Sequence, residues 1–248
     1  MSDTLTFPAE TRPPIPLRET CRLVEGHLPL WEYHRARLAR GGCGSDLLAE
    51  ADRVVAEAAA SWSGPASSRL RLTLIVTPDG VAEATVQQRL SSLDVPGGPE
   101  TAFVEVGAPP WLPPGAAKPA DRSWWDDLQR RARWSGGHQA IVVCGGTVVD
   151  GGTASVWAVI DGVVVTPPAP DAIAGVARAF LLDALERAGV PARVAALSPR
   201  EFESADEAFL TNAFGGAVAV RERGGPVFER VAAIFSDLWS SAAHDASI

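Results

Sequence analysis

One residue type is almost missing from this chain. Of 248 residues, 22 are Lys or Arg, and Lys118 is the single lysine beside 21 arginines. A surface position accepts either cation, but a site that needs a primary amine does not. Guanidinium stays protonated and is a poor nucleophile, whereas a lysine amine can lose its proton and form an imine with a carbonyl. Lys118 is therefore a candidate for imine chemistry. Taken alone it could equally be a surface lysine that escaped replacement. Its setting is suggestive: it follows a Pro-rich run, residues 107–117, and stands four residues before Arg122.

The elements that must position it can be read from periodicity. Residues 18–23 read as a strand with a turn at Glu25-Gly26-His27, and residues 31–39 as a helix. Ser45 and Asp46 look like a capping signal before apolar positions at helical spacing, Leu47, Leu48, Ala51, Val54, Val55, Ala58 and Trp62. Strands are predicted over 69–76, 81–90 and 101–106. A stiff connector over 108–117 then divides a small N-terminal α/β domain, 1–107, from a larger C-terminal domain, 118–248. Beyond it, a helix over 124–134 precedes short strands over 140–143, 147–149, 155–160 and 163–166. A helix over 172–188, strands over 194–197, 208–211 and 217–221, and a helix over 227–241 complete the chain. Residues 1–16 read as an extended Pro-rich arm. The fold class is α+β or mixed α/β in two lobes.

Composition excludes several function classes. Hydrophobic content of 46% and charged content of 21% are ordinary for a globular protein. No apolar run approaches the roughly 18 residues that span a membrane, and residues 1–12 lack the pattern of a secretion signal. A net charge of −8 argues against nucleic acid, whose phosphates demand a basic surface. Cys21, Cys43 and Cys144 form no C-x-x-C pair and read as free thiols of a reducing cytoplasm. His27, His34, His138 and His244 lack ligand spacing, so no structural metal is expected. Gly41-Gly42-Cys43-Gly44-Ser45 lacks a Walker lysine and reads as a helix–helix connector, and Trp124-Trp125 as core or interface packing.

Five segments, in order over about residues 18–221, resemble the class IV aminotransferases. Glu19-Thr20-Cys21-Arg22, Gly26 and His34-Arg35-Ala36-Arg37-Leu38 are similar to the family's F-E-T-x-R, turn glycine and H-x-x-R-L. Lys118-Pro119-Ala120-Asp121-Arg122 resembles the K-x-x-N-R of its 4-amino-4-deoxychorismate lyase branch, 22 residues before Ala140 as in the family. Val149-Asp150-Gly151-Gly152-Thr153-Ala154-Ser155, then Asp161-Gly162 and Thr166-Pro167-Pro168, resembles V-x-E-G-T-x-S-N, D-G and T-P-P. Ile173-Ala174-Gly175-Val176-Ala177-Arg178 is similar to L-P-G-[IV]-[TA]-R. Ala205-Asp206-Glu207-Ala208-Phe209-Leu210-Thr211-Asn212-Ala213 is similar to A-D-E-x-F-L-T-N-S.

The resemblance implies a two-domain fold-type IV enzyme whose larger domain holds a barrel-like sheet flanked by helices. Its cofactor would be pyridoxal 5'-phosphate, with Lys118 as covalent attachment point and general acid–base. Arg37 would bind the phosphate, together with the backbone N–H groups of Val176 and Ala177 at a helix start. Arg122 would lie near the cofactor's phenolic oxygen or the substrate carboxylate. Asp150 replaces the family's Glu, which pairs with the pyridine nitrogen, and Ser155 replaces an Asn. Ala213 replaces a hydroxyl residue on the phosphate, a loss that Thr211 or water could cover. Family members usually begin with a longer strand pair bearing a pocket tyrosine; here the sole tyrosine is Tyr33. The implied activities are elimination of pyruvate from a small amino substrate, as in the lyase, or amino-acid transamination of branched-chain or D-amino-acid type. A non-catalytic relative with an impaired site is the third possibility. A cytoplasmic homodimer is expected, without nucleic-acid or membrane partners.

Overall fold

The computed structural model describes residues 11–63, 69–169 and 172–244; the first ten residues of the Pro-rich arm lie outside them. The first lobe begins with β1 (Leu17–Leu23), whose residues alternate between buried and half-buried. That period of two puts Leu17, Glu19, Cys21 and Leu23 on one face and Arg18, Thr20 and Arg22 on the other. Helices α1 (Trp31–Arg40) and α2 (Ser45–Ala60) follow. Contrary to the expected cap, Gly44 is the N-cap of α2 and no side chain caps it; Asp46 sits in the first turn instead, where it meets the positive end of the helix and pairs with Arg12. Strands β2 (Leu70–Thr77) and β3 (Gly80–Gln88) complete an antiparallel sheet of order β1-β2-β3. Leu17, Cys21, Leu72 and Leu74 pack with Leu38, Leu47 and Ala51 of the helices. The opposite sheet face is left to the site.

Strand β4 (Thr101–Val106) pairs in parallel with β5 (Gln139–Cys144), and α3 (Ser123–Trp134) is their crossover. β5 also pairs with β6 (Thr147–Gly151). The Pro-rich connector therefore runs between two elements of one layer, because the apolar run of β4 finds its sheet partner only after α3.

The rest of the chain supplies β7 (Ser155–Ile160), β8 (Val163–Thr166), α4 (Val176–Arg187), β9 (Ala192–Val194), α5 (Pro199–Ser204), β10 (Glu207–Asn212), β11 (Gly216–Ala219) and α6 (Pro226–His244). The strands form a sheet of order β11-β10-β7-β8-β9. β7 and β10 are buried along almost their whole length because both sheet faces are covered. Trp157 and Phe209 pack under Leu181 of α4 and Phe235 of α6, while Val156 and Leu210 pack with Ile141, Val148 and Phe202 of α5. This is the mixed α/β architecture expected. The strands after β3 fall into this sheet and the sheet of β4, β5 and β6, with no closed ring among the described residues.

Three elements, α4, β9 and α6, shift from the sequence reading by more than two residues at one end, and one α-helix is additional. α4 starts at Val176 rather than 172; its N-cap Gly175 is extended (φ −62°, ψ 121°). The strand expected over 194–197 is β9, ending at Val194. α5 was not anticipated, although Ser198 and Glu201 form a complete capping box at its start. Among the described residues no helix is long and apolar enough to cross a membrane.

Candidate active site

The free edge of β1 positions Lys118. Arg18 N–H donates to Lys118 O at 2.9 Å, Ala120 N–H donates to Pro16 O at 2.8 Å, and Leu17 faces Pro119 in an isolated bridge. The segment after the connector thus behaves as a short extra strand. It enters past α1, where Gly115 takes a left-handed conformation (φ 63°) and a Cβ would stand 2.4 Å from that of Arg40. At Gly41 an added Cβ would meet Leu17 Cδ1 at 2.7 Å and Ala117 Cβ at 2.8 Å, so the end of α1 packs closely on β1 and on the lysine segment.

Lys118 opens into a cavity of about 500 Å³ between the first sheet, β6, β7 and the start of α4, a volume in the range of small-molecule sites. All nine residues singled out in the sequence, Arg37, Lys118, Arg122, Asp150, Ser155, Val176, Ala177, Thr211 and Ala213, line it. The Lys118 amine donates to Thr20 Oγ1 at 3.2 Å. Enclosure, then the positive charges of Arg122 and Arg37, pull its pKa well below the ordinary lysine value against the opposing pull of Glu19. The amine is thus disposed to be neutral and nucleophilic.

Arg37 is held before any ligand arrives. Its Nε donates to Glu19 Oε1 at 2.9 Å, its Nη2 to Glu19 Oε2, and its Nη1 to Ala174 O at 2.9 Å. Glu19 also meets His34 Nδ1 at 2.6 Å. Its carboxyl is held down at about 2: burial alone would raise it, but Arg37 and His34 outweigh that. The Arg37 fork is therefore committed chiefly to Glu19, and its bond to Ala174 steadies the loop leading into α4. The helix itself offers the positive end and free N–H groups that suit a phosphate. Gly175 leaves room there for Ser155, whose Oγ an added Cβ would approach to 2.4 Å.

Asp150, on β6, has a different environment. Enclosure pushes its carboxyl up to about 7, although the N–H groups of Gly151 and Ile173, and the charges of Arg122 and Arg178, favour the ionised form. No ion pair reaches it among the described residues. Arg122 lies 4.5 Å from the Trp125 ring, donates from Nη2 to Gly152 O at 3.1 Å, and leaves its buried Nη1 without a partner. Thr211 accepts from Trp157 Nε1 at 2.9 Å, so its own hydroxyl proton remains available to a ligand.

Sequence reasoning passed over two groups. Thr20, the partner of Lys118, lies inside the quoted Glu19-Thr20 motif and could have been found from the alternation of β1. Gln129 and Gln139 carried no signal. They form a buried amide network in which Gln129 Nε2 donates to Gln139 Oε1 at 2.9 Å and Thr153 Oγ1 donates to the same oxygen at 2.7 Å. Gly152 is packed so tightly on Gln129 that a Cβ would stand 2.5 Å from Oε1. This network fixes the turn after Asp150.

The residues present suit pyridoxal phosphate on their own chemistry: an enclosed amine of lowered pKa, a helix N-terminus for the phosphate, a carboxyl without an ion-pair partner for a protonated ring nitrogen, and an orphaned guanidinium nitrogen for a ligand oxygen. Solved structures of similar fold include a hypothetical aminotransferase from Mycobacterium tuberculosis with that cofactor bound (20% identity, 92% of this chain and 90% of that one, TM-score 0.77). A provisionally named 4-amino-4-deoxychorismate lyase aligns at 18% identity over 89% of each chain with TM-score 0.75. The branched-chain amino acid aminotransferase of Escherichia coli aligns at 22% identity over 91% of this chain and 86% of that one, TM-score 0.69. No curated protein matches the sequence. Residues 17–222 match the family described as amino-transferase class IV. With Lys118, Asp150 and the α4 N-terminus gathered in one cavity, the chain belongs to the class IV aminotransferases, a family of pyridoxal phosphate-dependent enzymes.

Proposed function

We propose that this enzyme is a 4-amino-4-deoxychorismate lyase-like elimination catalyst that releases pyruvate and leaves 4-aminobenzoate. The observation that carries the reading is the enclosed Lys118 amine, its pKa held well below the ordinary lysine value, in a cavity that Asp150 also lines without an ion-pair partner. The K-x-x-[DN]-R pattern at Lys118 favours the lyase branch.

Each residue has a task in this reading. When bound, pyridoxal phosphate supplies an electron sink for the carbanion formed at the amine-bearing carbon. Asp150 holds the proton on the ring nitrogen. Lys118 provides the point of covalent attachment, takes the proton from the amine-bearing carbon, and returns it to the departing enolpyruvyl group, which leaves as pyruvate. The N–H groups of Val176 and Ala177 and the Thr211 hydroxyl bind the phosphate. Arg37 contributes what its commitment to Glu19 leaves free, and otherwise holds the α4 start. Arg122 directs its free Nη1 to a ligand oxygen. Thr20 orients the lysine amine. A homodimer in the cytoplasm belongs to the same reading.

Transamination is the second reading, and one finding favours it: the M. tuberculosis relative has also been solved with alpha-ketoglutarate and the pyridoxamine form of the cofactor. The two separate in one assay. A lyase releases pyruvate from aminodeoxychorismate with no keto acid present, whereas an aminotransferase turns over only with a keto-acid acceptor.

A further inference from the structure

A chain of buried amide hydrogen bonds runs behind the cavity, and its direction is fixed at both ends. At one end the Ala140 N–H donates to Gln129 Oε1 at 2.6 Å. The amide nitrogen of Gln129 then donates onward to Gln139 Oε1 at 2.9 Å. Gln139 Nε2 in turn donates to the carbonyl of Ser92 at 2.8 Å. A backbone donor at the start and a backbone acceptor at the end leave each amide one orientation. Thr153 Oγ1 donates to Gln139 Oε1 at 2.7 Å, so the Ser92 hydroxyl, 3.0 Å from it, is the donor to Thr153. Gln139 is 1% exposed, and these side-chain partners are all uncharged.

The chain ties together the separate cavity-lining segments of Ser92, Arg122 and Gly152, although neither glutamine lines the cavity itself. Arg122 is held from both ends. Its backbone is the N-cap of α3, the helix that carries Gln129. Its Nη2 donates to Gly152 O at 3.1 Å. Gly152 is fastened in turn, by its own N–H to Ala140 O at 3.0 Å and by close packing on Gln129. The guanidinium lies 4.5 Å from the Trp125 ring, and its buried Nη1 has no partner among the described residues. A guanidinium presents its N–H groups in one rigid plane, so holding Nη2 also decides where Nη1 lies.

We propose that Gln139 is a positioning residue of this site: through Gln129 and the Gly152 carbonyl it sets the Arg122 guanidinium against a ligand oxygen. This rests on the reading of the Lys118 cavity as the reaction site. A buried amide network whose members are all satisfied holds a geometry that one bond alone would not.

Calorimetric titration of the cofactor-free full chain with pyridoxine 5'-phosphate tests this. The analogue keeps the ring oxygen and the phosphate but lacks the carbonyl that Lys118 would attack, so its binding does not depend on imine formation. Arg122→Met should weaken it about tenfold, the yield of one charge-assisted hydrogen bond. Gln139→Met should weaken it nearly as much, and the double variant no more than Arg122→Met alone, because both remove the same contact. Gln139→Glu covers the case in which Gln139→Met fails to fold. Its protonated carboxyl keeps every bond of the amide, whereas the ionised form sets a bare oxygen against Ser92 O. Its affinity should match the wild type at about pH 5 and fall below it towards about pH 9, and Arg122→Met should abolish that fall. Losses that add in the double variant, or a pH-dependent fall that survives Arg122→Met, assign Gln139 to the scaffold alone and overturn the proposal. An unaltered affinity in Arg122→Met, or an analogue that does not bind, overturns it as well. If the analogue behaves as stated but pyridoxal phosphate gives no visible band, the Lys118 reading alone fails.

Discussion

Two carboxylates belong to this region, Asp150 in the lining of the cavity and Glu19 behind Arg37, and their surroundings push them in opposite directions. Glu19, on the first lobe's β1, is held down at about 2 by Arg37 and His34. Asp150, on the second lobe's β6, is pushed up to about 7 by enclosure. Both lie beside arginines. The difference is contact: Glu19 takes the Nε and Nη2 of Arg37 and a histidine, whereas Asp150 receives backbone N–H groups and only the more distant charges of Arg122 and Arg178. A finished ion-pair network belongs to the scaffold. An unfinished one belongs to a ligand, and a protonated ring nitrogen is the partner that would return Asp150 to the ionised state.

The largest effect that could break this contrast is on stability. Glu19→Gln should destabilise the protein by about 3–5 kcal/mol, because it leaves the buried Arg37 charge uncompensated. Asp150→Asn should cost little or even stabilise the cofactor-free protein, while weakening cofactor retention and abolishing most turnover. Urea unfolding of both variants, alongside cofactor titration, checks the pair of outcomes. Equal destabilisation by the two would show that Asp150 is as structural as Glu19.

The pH dependence sharpens the same point, and the signs are opposite. For Glu19 the folded pKa lies below its ordinary 4.5, so its contribution is present above that value and is lost as pH falls towards about 2. For Asp150 the folded pKa lies above its ordinary 3.8. In that window the folded state holds a proton that the unfolded state has lost, so stability falls as pH rises from about 4 to about 7. Asp150→Asn should flatten that decline in the cofactor-free protein, and bound cofactor should reduce it. Melting temperatures across this range test it; a decline of equal slope in wild type and variant would contradict the assignment.

A smaller effect is expected at the phosphate end. Thr211→Val should weaken cofactor binding about tenfold, the value of one charge-assisted hydrogen bond, and Ala213→Ser should strengthen it by supplying a second hydroxyl. Dissociation constants of the two variants measure this.

How much of the site could be read in advance follows from the same physics. The strands, the helices and the register of the five segments show in periodicity and local motifs, and the nine singled-out residues line one cavity. Long-range pairing was not legible. β4 has an ordinary strand pattern, and nothing in it says that its partner is β5, 38 residues away in register (Thr101 against Gln139). The capping box Ser198–Glu201 was legible and passed over. The Gln129–Gln139 pair was hidden for another reason: an uncharged amide gives no sign of its bonds until the backbone groups around it are placed. Arg37 teaches the converse, since a motif arginine turns out to spend its fork on a buried glutamate.

The central claim is that Lys118 carries the cofactor. It is tested most directly by titrating purified protein with pyridoxal phosphate and recording the visible absorbance band of the lysine-linked form, with Lys118→Ala as the paired sample. The account predicts a saturable band in the wild-type protein and none in the variant. A band that survives in Lys118→Ala, or fails to form in the wild type, would contradict it.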